Sequence, residues 1–249
     1  MLRLVLALLL MLLMPWARSQ TPIALYESFA GNVNFVGTQK TIRTQSNAGD
    51  PCAVTGGAVT ASISGIPAGA TILKAHLYWA GSGTTADTQV RLDNSNIDAT
   101  RQWTVVANGR NYFSGAADVT SKVSGNGSYS FRNLAIQNTG SFCTVEGVVG
   151  GYALLVIYEH SSEPFRVLNL YEGFQPTHYS SVDLSLANFK IPDPIGTATG
   201  RIGHITWEGD ATLGNTNEEN LYFNGVEQFD LSLNPRYNQF NSTSNINGD

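Results

Sequence analysis

Gly150-Gly151-Tyr152-Ala153-Leu154-Leu155-Val156-Ile157-Tyr158-Glu159 decides the fold. Between its ends the run is apolar on both alternating faces: Tyr152, Leu154, Val156 and Tyr158 on one, Ala153, Leu155 and Ile157 on the other. Gly150-Gly151 opens it and Ser161-Ser162-Glu163-Pro164 closes it, which gives it the length of a strand. A strand dry on both faces belongs inside a packed sheet, so this run is expected to be its central strand.

Shorter runs flank it on both sides. Ala58 to Ser64 alternates, and Ile72 to Ala80 places Leu73, Ala75, Leu77 and Trp79 on one face and Lys74, His76 and Tyr78 on the other, as in a half-buried strand. Further strands are expected at Thr88 to Leu92, Gln102 to Val106, Gly127 to Ile136, Arg166 to Tyr171, Ser181 to Phe189, Ile202 to Trp207, Asn220 to Phe223 and Gln228 to Leu233. Asn-Gly pairs at 108–109, 126–127, 224–225 and 247–248 suit hairpins, because both residues tolerate positive φ. No sustained 3.6-residue periodicity occurs, and one helical turn within Ala116 to Val123 is the most that is expected. The fold class read from this pattern is all-β: an antiparallel β-sandwich, jelly-roll-like, with little helix.

The N terminus sets the compartment. Met1-Leu2-Arg3, an apolar run from Leu4 to Met14, and Ala17-Arg18-Ser19 describe a secretory signal peptide over residues 1–19, cleaved before Gln20. The alternative is an uncleaved membrane anchor, for which the run falls short of the ~20 residues a spanning helix needs, and no later run approaches that length. Cleavage leaves 12 of the 14 basic residues against 19 acidic ones, a net charge of -7. An acidic chain without a Lys/Arg cluster is a poor partner for nucleic acid or an anionic membrane. The expected location is extracellular or at the cell surface. In an oxidising compartment the two cysteines, Cys52 and Cys143, are expected to form a disulfide between turn-rich segments. The domain reading is one sandwich over residues 20–237, followed by a polar stretch, 238–249, that is either a tail or the cut end of a longer domain.

Leu77-Tyr78-Trp79-Ala80-Gly81-Ser82-Gly83, Ala117-Asp118-Val119-Thr120, Gly150-Gly151-Tyr152 through Glu159, Trp207-Glu208-Gly209-Asp210 and Leu221-Tyr222-Phe223-Asn224-Gly225 follow one another in that order. This series resembles the domain of unknown function near the start of large bacterial and archaeal surface proteins, with its pattern LYWxGSG, DVT, GGWxLVVVYE and LxFNG. Tyr152 stands where that pattern has Trp. The resemblance implies a strand framework and a place at the cell envelope, often followed by further strands and repeat domains. It implies no activity and transfers no site residue.

Catalytic motifs are missing from the sequence: it has no nucleophile elbow, zinc helix, phosphate loop or dinucleotide fingerprint. His76, His160, His178 and His204 lack ligand spacing, and His76, beside Lys74, reads as a surface residue. Glu208 and Asp210 lie two apart, so both carboxylates face one side of an extended chain. They are the candidate calcium ligands, since hard cations take carboxylate and backbone oxygens; the alternative is solvated loop acids. Trp103, Tyr112 and Trp207 are the candidate ligand-binding rings, able to stack on sugars if exposed; otherwise they fill the interior. The expected function is therefore a structural or adhesive module without catalysis and without a required cofactor, its partners surface glycans or other envelope proteins. A carbohydrate-binding module, calcium-dependent or not, is the alternative. A glycan-active hydrolase ranks last: it would need two of Glu208, Asp210, Asp183 and Asp118 to face each other across a cavity.

Overall fold

The computed structural model describes residues 22–46, 49–144, 147–177, 180–190, 200–209 and 219–245. The signal segment 1–19, His178, Tyr179, Asp210 and the Asn247-Gly248 pair lie outside these residues. The chain is all-β and every paired strand is antiparallel. Its strands are β1 (Ala24–Gly31), β2 (Val33–Thr41), β3 (Val59–Ile63), β4 (Thr71–Ser82), β5 (Gln89–Leu92), β6 (Ser95–Asp98), β7 (Arg101–Ala107) and β8 (Arg110–Asp118). They continue as β9 (Gly127–Arg132), β10 (Gly150–Glu159), β11 (Arg166–Glu172), β12 (Leu221–Phe223) and β13 (Val226–Gln228). Among the described residues helix is confined to a 3₁₀ turn at Thr120–Lys122 and one α turn, α1, at Ser141–Thr144. Among the described residues no helix is long and apolar enough to cross a membrane.

Two sheets form the sandwich: β2-β10-β4-β8-β7 and β3-β9-β5-β6. Strand β10 lies between β2 and β4 and is buried on both faces, as its composition requires, although the middle of the five strands is β4. Tyr152, Leu154, Val156 and Tyr158 point into the sandwich with Ala75, Leu77 and Trp79 of β4, against Tyr129 and Phe131 of β9 and Val90 and Leu92 of β5. The rings of Phe131 and Tyr152 stack across the layers at 5.3 Å. Trp79 is fully buried, and its indole N–H donates to the Asp87 carbonyl at 2.9 Å. Gly115, its partner across β8, makes room for it: a Cβ there would stand 2.4 Å from the indole.

The opposite face of the five-stranded sheet is covered as well. Strands β1 and β11 form a separate two-stranded ribbon, and Tyr78, Ala116 and Ala153 are buried beneath a third layer, with Trp103, Leu155 and Trp207 packed around them. Strand β4 is accordingly buried on both sides from Ala75 onward, rather than half-buried. His76 is 1% exposed, which corrects its reading as a surface residue: the covering layer has no signature in β4 itself.

Two other expectations change. Residues 181–189 and 202–207 form no strand, and Val182, Leu184, Phe189 and Ile202 stay exposed. The last hairpin closes at Val226–Gln228, so the run expected at Gln228 to Leu233 is mostly turn. The one helical turn expected within Ala116 to Val123 is there, at Thr120–Lys122, after Ala116 to Asp118 have finished β8. The Asn-Gly pairs at 108–109 and 224–225 do turn hairpins at positive φ, whereas the Asn126 side chain bonds both backbone groups of Ile66. Cys52 and Cys143 are joined with Cα atoms 5.2 Å apart, linking the β2–β3 connection to α1.

Candidate functional site

Charged and ionisable side chains gather under the β1–β11 ribbon. Glu172 ends β11, opposite Ala24 of β1, and its side chain is 5% exposed. Arg101, the first residue of β7, grips it with a fork: Nε donates to one carboxylate oxygen at 2.5 Å and Nη2 to the other at 2.8 Å. Bidentate pairing of this kind is directional and strong. The Tyr78 hydroxyl of β4 donates to Glu172 as well, at 2.6 Å. Burial, followed by the Glu172 charge and this hydrogen bond, pushes the Tyr78 phenol far above its ordinary range. The guanidinium of Arg101 also lies over the Tyr26 ring of β1, 4.4 Å from its centroid.

His76 sits at the centre. Its Nδ1 is 3.3 Å from Arg101 Nη2. A guanidinium has donors only, so Nδ1 is the acceptor and Nε2 carries the ring proton. Nε2 points toward Glu27 Oε2 of β1, 3.7 Å away, too far for a hydrogen bond, and has no other partner. Burial first and the Arg101 charge second lower the imidazole pKa from its ordinary value. A neutral ring with its one lone pair turned to Arg101 has none to offer a metal or a substrate proton.

Two further acids are engaged at the margins. Asp118 accepts from Lys74 Nζ at 2.8 Å and from the Thr120 hydroxyl and backbone N–H at 2.6 and 2.9 Å. Burial opposes ionisation there, but those hydrogen bonds together outweigh it and hold the carboxyl well below its usual range. At the other end of the ribbon, Glu163 accepts from Arg166 at 2.6 Å, Tyr158 at 2.9 Å and Asn34 at 3.0 Å.

The rings singled out from sequence share the covered face of the five-stranded sheet. Trp103 and Trp207 pack at the rim of the same small cluster, both half-buried. Tyr112 is half-buried too: it packs edge-on against Phe142 at 5.7 Å and donates to the Gly147 carbonyl at 3.0 Å. Burial raises its pKa, opposed by Arg110 and helped by Glu208. Glu208 is exposed, and its expected partner Asp210 lies outside the described residues. Asp183 is exposed in a strandless segment, while Asp118 is held by Lys74. Among the described residues no group of three or more His, Cys, Asp or Glu is placed to hold a metal ion.

Sequence reading missed Glu27, Arg101 and Glu172, which no motif marks. They meet only because β1, β7 and β11, far apart in the chain, converge on one face. No family model matches the chain, and neither does any curated protein or solved structure.

Proposed function

We propose that the protein is a secreted or cell-surface β-sandwich module with a structural or adhesive role and no catalytic activity. The observation that carries this reading is that the charges gathered at the site are spent on one another: Glu172 on Arg101 and Tyr78, Glu163 on Arg166, Asp118 on Lys74. The first of these ties the β1–β11 ribbon to the sheet beneath it. The Cys52–Cys143 disulfide suits an oxidising location. A surface for partners is available on the β12–β13 hairpin and the turn after it, where Tyr222, Val226 and Leu231 are exposed. The resemblance to the N-terminal domain of large surface proteins agrees with an envelope role.

Carbohydrate binding is the second reading, favoured by the two half-exposed indoles, Trp103 and Trp207, at one rim. A glycan array probed with the cleaved protein, with and without calcium, tests both. Binding to envelope preparations with a silent array supports the adhesive role. Glycan binding lost on Trp103→Ala or Trp207→Ala replaces it with the carbohydrate-binding one, and loss on chelation brings in Glu208 and Asp210. Turnover of any arrayed glycan overturns both readings.

A further inference from the structure

The β1–β11 ribbon is fastened differently at its two ends. Its strands pair with each other and with no strand of the five-stranded sheet below, so side chains and chain connections hold it down. At the Gly31/Arg166 end the chain passes directly into β2 and out of β10. There Glu163 ties Arg166, Asn34 and Tyr158 together, Asn32 donates to the Glu163 carbonyl, and Arg166 donates to the Val33 carbonyl at 3.0 Å. At the Ala24/Glu172 end the fastening is the cluster of Glu172, Arg101 and Tyr78, built around buried His76.

We propose that the ribbon is a flap, hinged at Glu163 and latched at Glu172, that opens when His76 takes up a proton. A second ring proton must go to Nδ1, the atom that faces Arg101 Nη2. Two donors then confront each other, and two positive charges with them. Arg101 cannot withdraw without releasing Glu172, because the same guanidinium holds both of its oxygens. Every layer around the ring takes part. Glu27 and Tyr26 face it from β1, Glu172 from β11, Arg101 from β7, Asp118 from β8, and Lys74 and Tyr78 flank it on β4, while β10 presents Leu155. The three carboxylates favour an imidazolium, but burial and Arg101 prevail. With the flap open, the ring meets water and recovers a pKa near 6.5.

The sign follows. A base whose pKa is depressed in the closed state binds its proton preferentially in the open state. Closure is therefore fully favoured above about pH 6.5 and weakens as pH falls below it, by about tenfold per unit until the closed-state pKa is reached. The Glu163 carboxyl and the Tyr158 phenol of the hinge do not respond in this range: hydrogen bonds hold the carboxyl below its ordinary range against the opposing effect of burial, and burial raises the phenol to about 12.

Hydrogen exchange of the full mature chain between pH 7.5 and 5.0, corrected for intrinsic rates, reads the flap directly. Protection in β1 and β11 should fall about tenfold per pH unit below 6.5 while β10 and β4 keep theirs. His76→Gln should abolish the dependence and His160→Asn, in the hinge turn, should leave it intact. Should His76→Gln fail to fold, the wild-type His76 ring signal serves instead: its titration should track ribbon exchange. Ribbon protection unchanged to pH 5.0, loss shared equally by β10, or a response removed by His160→Asn overturns the flap.

Discussion

Glu172 shows how much one residue can hold when it is buried beside its partners. Replacing it with Ala leaves the Arg101 guanidinium, 16% exposed, without a counter-charge and the Tyr78 hydroxyl without an acceptor. Breaking one side of such a pair costs about 3 kcal/mol, which urea unfolding at pH 7.5 should read as a lower midpoint with little change in slope. Asp118 is the contrasting case. Its pair with Lys74 is more than a third exposed on the acid side, so solvent screens it, and Asp118→Asn should cost less than about 1 kcal/mol at pH 7. Because the folded-state pKa of Asp118 is depressed, its contribution is present above about pH 3.9 and is lost as pH falls through the folded value. The difference between wild type and variant, followed by thermal melts from pH 7 downward, should hold to about pH 4 and then close.

Among the elements, β10 and β4 were legible because their faces are apolar enough to announce burial. Strands β1, β2 and β8 were not. β2 carries Asn34, Gly37, Thr38 and Gln39 among its apolar residues, and β8 carries the small run Gly115-Ala116-Ala117, which reads as a helix start until Trp79 is seen filling the space above Gly115. His76 was visible and misread for a related reason: the layer that buries it comes from β1 and β11, more than forty residues away on either side. The disulfide was legible because two cysteines admit a single pairing, and it closes a loop of 91 residues. In the chain-entropy account such a loop contributes about 4.6 kcal/mol. The double replacement Cys52→Ser with Cys143→Ser should lower the unfolding free energy by about that amount in guanidinium titrations, leaving the strand signal in circular dichroism intact below the midpoint.

For the molecule as a whole, export is the expectation on which the proposed role depends. N-terminal sequencing of the chain recovered from outside a producing bacterium should begin at Gln20; a chain retained inside and beginning at Met1 removes the envelope reading. The order of the five-stranded sheet then bears on how such a chain reaches its final form. β2 and β4 are both paired to β10 and not to each other, so neither has its shared neighbour until residue 159 has emerged. Strands β4, β8 and β7 can pair before then, but β2 waits without its one strand partner while more than a hundred further residues leave the ribosome. That delay keeps it slack enough to thread through a narrow conduit, and also leaves it prone to clumping with its own siblings whenever the journey stalls.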